Sequence, residues 1–179
     1  NAREFLLKVF NRIWETGVLP RSWKISLIIP IRMPGKDAFQ ATSYRPIALT
    51  SCVCKLMEKM INTRLVWYLE SNNLISPFQF GLRKNRSTID ALLRLSNQIQ
   101  QGLANHQQTV GVFFDLEKAY DTTWRHGIIK QLHLMGIRGN MIRFIDSFFS
   151  ERYIKVKVGS KISSEFKQIE GIPQGNVLS

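Results

Sequence analysis

The chain has 179 residues, 44% of them hydrophobic and 21% charged, which is enough apolar material for one buried core and excludes wholesale disorder. Its formal charge of +12 and isoelectric point near 10.1 offer nothing to a cationic or uncharged partner and attract a polyanion, nucleic acid first and an anionic membrane surface second. No run approaches the roughly 18 apolar residues that span a bilayer; the longest, Leu27 to Ile31, carries a proline, so no membrane partner is expected.

Phe5, Leu6, Val9, Phe10, Ile13 and Trp14 recur at helical spacing and stop at Gly17, with Pro20 beyond, which predicts an amphipathic helix with a packing role. Trp23 to Ile31 reads as a strand and Arg32 to Tyr44 as a turn-rich loop. Lys36 follows Gly35, but no earlier glycine stands at the spacing of a phosphate-binding loop. In Tyr44-Arg45-Pro46-Ile47 the proline biases Arg45 toward an extended backbone. A guanidinium on a stiff segment suits a phosphate clamp and equally an ordinary surface arginine.

Cys52 and Cys54 share no ligand spacing with His106, His126 and His133, so neither a zinc site nor a disulfide scaffold is expected, and a reducing intracellular compartment is. Val53, Leu56, Met57, Met60, Ile61, Leu65 and Leu69 predict a helix with its methionines in the core. Arg83, Lys84 and Arg86 then precede Ser87, whose spacing to Asp90 is a helix-start signature, and Ile89, Leu92, Leu93, Ile99 and Leu103 continue an apolar face. Positive side chains at a helix start oppose its dipole, which makes sense beside a phosphate backbone; a solvated basic turn is the alternative.

Val110 to Trp124 organises the rest. Val110, Val112, Phe114 and Leu116 alternate with Gly111, Phe113, Asp115 and Glu117, predicting a strand that buries the first set and ends beside a cleft at Asp115. A carboxylate at a strand exit suits Mg²⁺, which takes oxygen ligands in rigid geometry, and can also merely cap the next turn. Asp121 is expected to be such a cap, and Tyr120 puts a large ring beside the same opening. Helices over about Arg125 to Met135 and Gly139 to Phe149 follow. Ile154, Val156 and Val158 then alternate with Lys155 and Lys157 before Gly159-Ser160, and Ile162 to Ile169 runs back as a hairpin. In the closing GIPQGNVLS, Gly171 to Ser179, glycines around Pro173 and Gln174 let backbone approach a ligand closely.

Four segments in this order, YRPIALTS (Tyr44 to Ser51), FQFGLRKNRST (Phe78 to Thr88), VFFDLEKAYD (Val112 to Asp121) and GIPQGNVLS, resemble the reverse transcriptase domain of non-LTR, LINE-like retrotransposons of the Jockey type. The resemblance implies an α+β right-hand polymerase. Residues about 1–109 would be mainly fingers and about 110–179 a partial palm, truncated before the Asp-Asp hairpin and the thumb. It implies an RNA-directed DNA polymerase that adds dNTP to a primer 3′-hydroxyl with two Mg²⁺ ions. Asp115 would be a catalytic metal ligand with the Leu116 carbonyl nearby, and Tyr120 a steric gate against the ribose 2′-hydroxyl. Arg45 would brace the triphosphate, Gln174 would line the nucleotide pocket, and Arg83, Lys84 and Arg86 would face the RNA template or DNA primer.

The remainder of the polyprotein, with the rest of the palm, a thumb and an endonuclease domain, is an expected partner, and the ribonucleoprotein is expected in nucleus or cytoplasm. Met33, Leu82 and Asn176 stand where the family usually has lysine, phenylalanine and serine, consistent with a drifting element copy. The chain carries one of three expected carboxylates, so on its own it is expected not to polymerise; a nucleic-acid-binding module that has lost its chemistry is the alternative. A glycosidase using Asp115 and Glu117 fits poorly, since side chains two apart on one strand cannot flank a scissile bond.

Overall fold

The computed structural model describes residues 1–178; Ser179, which ends the GIPQGNVLS segment, lies outside the described residues. The chain forms two compact units, Asn1–Val66 together with the chain from Lys118 onward, and Trp67–Glu117. Their helix and strand content is the α+β mixture expected of the sequence.

The first unit is built on a mixed sheet. Its central strand β1, Ile25–Arg32, runs antiparallel to β2, Tyr44–Leu49, with Ile31 opposite Arg45 and Ile28 opposite Ala48. On its other edge β1 runs parallel to β3, Tyr153–Val158, with Leu27 opposite Lys155. The short strands β4, Lys161–Ile162, and β5, Phe166–Lys167, pair back on β3, so the expected hairpin forms with only two brief stretches of its return arm in the ladder. Pro30 and Pro46 face each other in register, which confines both missing donors to one opposed pair. The first strand starts later than Trp23 because Arg21–Trp23 closes a 3-10 turn.

Helix α1, Ala2–Thr16, starts where the Asn1 side chain accepts the Arg3 N–H at 3.2 Å and ends on left-handed Gly17. A Cβ at Gly17 would also lie 2.7 Å from the Arg143 Cβ, so glycine serves both the cap and the close approach of a second helix. Along α2, Cys52–Ser71, the buried positions are Cys54, Met57, Glu58 and Ile61. Met57 is core as expected, but Met60 is half exposed, because the buried stripe is turned toward Cys54 and Glu58 rather than toward Val53 and Leu56. With α3 and α4 described below, helices α5, Arg125–Leu134, and α6, Asn140–Phe149, complete the set. Phe10 and Ile13 of α1 and Phe144, Ile145, Phe148 and Phe149 of α6 supply much of the buried core.

The second unit holds α3, Thr88–Ala104. Its start is the capping box anticipated at Ser87 and Asp90: the Asp90 N–H donates to Ser87 Oγ at 3.2 Å and the Ser87 N–H to Asp90 Oδ2 at 2.7 Å. The Ser87 hydroxyl, followed by its backbone N–H, holds the Asp90 carboxyl below the ordinary carboxylate range. The apolar face of α3 is present but uncovered, with Ile89, Leu92, Leu93 and Leu103 exposed.

Two expectations fail around the central motif. Val110–Glu117 is not a strand: it is irregular, and Phe114 is 92% and Leu116 80% exposed. Among the described residues no strand pairs with it, and an alternating segment without a neighbour has neither ladder hydrogen bonds nor a face to bury. Asp121 is not a cap but the third residue of the short helix α4, Ala119–Thr122. Lys118 turns into left-handed backbone at φ 54° and starts that helix earlier, accepting the Asp121 N–H at 2.8 Å.

Candidate functional site

The Gly171–Leu178 segment meets parts of two other motifs, Ala48 and Thr50 at the end of β2 and Tyr120 and Asp121 of α4. Gly171, Ile172 and Pro173 are buried. The Ile172 N–H donates to the Tyr120 carbonyl at 2.7 Å, and the Ala48 N–H of β2 donates to the Gln174 carbonyl at 2.9 Å. Gly171 sits at φ +69°, and a Cβ there would come within 2.6 Å of the Tyr120 carbonyl oxygen and 2.5 Å of that of Asp121. Only glycine lets the loop press against α4 this closely. The Thr50 hydroxyl donates to Asn176 Oδ1 at 2.6 Å, so asparagine at this position ties the loop to the end of β2.

Two charged side chains, half-buried Arg125 and fully buried Glu58, hold the same loop from beneath, and sequence reasoning missed both. Arg125, at the start of α5, donates from Nε to the Gly171 carbonyl at 2.5 Å, from one terminal nitrogen to Phe149 and Gln168 at 2.8 and 3.2 Å, and from the other to Glu170 at 3.1 Å. Its planar fork satisfies four carbonyls that a point charge could not, and burial lowers its pKa. Glu58 of α2, fully buried, accepts the Val177 N–H at 2.8 Å and the Leu178 N–H at 3.4 Å on one oxygen and the Cys54 thiol at 3.3 Å on the other. A signal for Glu58 was in the sequence: Cys54, Met57, Glu58 and Ile61 follow helical core spacing. Burial first, and the Glu58 carboxylate second, push the Cys54 thiol up. Arg152, also fully buried, donates to the Phe148 carbonyl at 3.0 Å and the Ser26 hydroxyl at 3.1 Å; burial pushes it down to about 10.

The anticipated site residues divide between the two units. Tyr120, 37% exposed, and half-buried Gln174 belong to segments joined by the Tyr120–Ile172 hydrogen bond. Arg45 is exposed on β2, on the sheet face opposite the Ala48 side chain. Asp115 and Leu116 belong to the second unit and are exposed. Within that unit Arg83 is engaged by Glu70 through paired contacts of 2.7 and 2.6 Å and also donates to the Ser76 carbonyl at 2.8 Å. Arg83 thereby holds the Glu70 carboxyl below the usual carboxylate range. Lys84 and Arg86 are exposed, the Arg86 guanidinium lying 5.7 Å from the centre of the Phe80 ring.

Among the described residues no group of three or more His, Cys, Asp or Glu side chains is placed to hold a metal ion. Asp115 supplies one exposed carboxylate on an irregular segment, where such a cation takes several fixed oxygen ligands, so no step is routed through a metal here. Cys52 and Cys54 are free, and no helix of the described residues is long and apolar enough to cross a membrane.

Residues 33–179 match the family model described as reverse transcriptase (RNA-dependent DNA polymerase). The chain is 33% identical over 177 residues to the RNA-directed DNA polymerase from mobile element jockey of Drosophila melanogaster, covering 99% of this chain and 19% of that protein. It is 31% identical to the probable RNA-directed DNA polymerase from transposon X-element and 30% identical to that from transposon BS, both of the same fly. Each alignment covers 97% of this chain and 19% of the relative. The chain thus spans about a fifth of the length of these relatives. The family match over most of the chain, with relatives named as polymerases of jockey, BS and X-element, places the protein in the reverse transcriptase family, in the branch of the non-LTR retrotransposons.

Proposed function

We propose that this chain is part of an RNA-directed DNA polymerase of a non-LTR retrotransposon, adding deoxynucleotides to a primer 3′-hydroxyl under the direction of an RNA template. The observation that carries the reading is the joining of Tyr120 and Gln174 segments to β2 by the Ile172–Tyr120 and Ala48–Gln174 backbone hydrogen bonds. In this reading the Tyr120 ring excludes a ribose 2′-hydroxyl, Gln174 lines the nucleotide pocket, and exposed Arg45 braces the triphosphate. Lys84 and Arg86, with Arg83, meet template or primer phosphates, and the +12 charge draws the polyanion in.

Asp115, with the Leu116 carbonyl, is one contributor to a two-Mg²⁺ centre whose other carboxylates come from outside the described residues. The 1–109 region would act mainly as fingers and the 110–179 region as part of a palm, within a protein that also carries a thumb and an endonuclease domain and works in nucleus or cytoplasm. The isolated chain is expected to bind nucleic acid without extending a primer.

The exposure of Asp115 on an irregular segment favours one second reading, a nucleic-acid-binding module without chemistry. Primer extension by the full-length protein separates the two. Polymerisation lost in Asp115→Ala, with ribonucleotide incorporation raised about tenfold or more in Tyr120→Ala, supports the polymerase. Salt-sensitive binding with no extension supports the module.

A further inference from the structure

The Glu58 carboxylate is surrounded by groups that a simple core residue would not need. It is fully buried, where a charge is costly. Among the described residues neither oxygen forms a salt bridge. One takes the Cys54 thiol at 3.3 Å, and the other takes the Val177 and Leu178 N–H groups at 2.8 and 3.4 Å. Those two amides lie at the far end of a loop clamped in sequence, at Gln174 by the Ala48 N–H, at Asn176 by the Thr50 hydroxyl, and at Val177 and Leu178 by Glu58. Withdrawing the carboxylate leaves two backbone donors unpaired in a half-buried setting and frees that end of the loop.

We propose that Glu58 is a positioning residue of the nucleotide pocket, holding the Gln174–Leu178 backbone at the height at which the Gln174 side chain meets the incoming nucleotide. This rests on the polymerase reading above. Glu58 touches no reacting atom; it acts through the loop. The buried Arg152 guanidinium, on which the Glu58 charge acts favourably, keeps the cluster from being a lone buried anion.

The test uses the full-length polymerase with Glu58→Met, Glu58→Asp and Glu58→Gln. Methionine fills the volume without an acceptor, aspartate keeps the charge but withdraws it from the loop, and glutamine can offer its carbonyl to the amides and its NH2 to the Cys54 sulfur. The KM for dNTP is expected to rise about tenfold in Glu58→Met and about threefold in Glu58→Asp, with kcat and primer-template affinity nearly unchanged and with Glu58→Gln near wild type. Hydrogen exchange at Val177 and Leu178 should accelerate in the same order. If Glu58→Met does not fold, Glu58→Asp carries the test alone. An active wild type whose folded Met or Asp variant keeps both its dNTP KM and its slow exchange at these amides overturns the proposal. An inactive wild type overturns instead the polymerase reading beneath it.

Discussion

Two segments of similar length and apolar character, Val110–Glu117 and Gly171–Leu178, meet opposite fates. The first has the better local pattern for regular structure, with apolar residues on every second position. It remains irregular and exposed. The second, with two glycines and a proline, has little local preference for anything. Yet it is held in place by Ala48, Thr50, Glu58, Tyr120 and Arg125. The difference teaches that alternation in a sequence specifies which face a strand would bury and does not supply a neighbour. A loop, conversely, is held when several of its backbone donors and acceptors find fixed partners.

The largest way to break this comparison is to remove the fork beneath the ordered loop. Arg125→Ala leaves the Gly171, Phe149, Gln168 and Glu170 carbonyls without their shared donor. A loss of about 4 kcal/mol is expected in urea denaturation, with Arg125→Lys recovering little of it. Gly171→Ala forces a Cβ against two carbonyl oxygens at positive φ. It should cost about 2 to 3 kcal/mol from left-handed strain and the weakened Ile172–Tyr120 hydrogen bond, and the exchange of the Ile172 amide reads it directly. Neither change should alter exchange across 110–117, which is irregular already.

The smallest effect lies in the second unit and concerns pH. Because Arg83 depresses the Glu70 carboxyl, the pair's contribution is fully present above the ordinary carboxylate range and is lost as pH falls through the depressed value. A carboxyl NMR titration should find Glu70 protonating below a typical glutamate, and Arg83→Ala should return it to the ordinary range. An unshifted Glu70 in the wild type would remove Arg83 from its partner and leave it as available to phosphate as Lys84.

Features carried by short spacings were legible before any coordinates. The Gly17 stop, the Ser87–Asp90 capping box, the extended backbone at Arg45 and the helices following Trp124 all follow from hydrogen bonds or dihedral preferences within a few residues, which the chain states locally. The family was legible for a related reason: four motifs in a fixed order are a one-dimensional signal. What only the tertiary structure decided depends on partners far away in the chain. Thr50 meets Asn176 across 126 residues, and Glu58 meets Val177 across 119. Whether an aspartate on an alternating run stands at a strand end likewise depends on strand pairing, and among the described residues no strand pairs with residues 110–117. Local preference costs nothing to express, whereas burial and pairing require surfaces that exist only once the chain has folded.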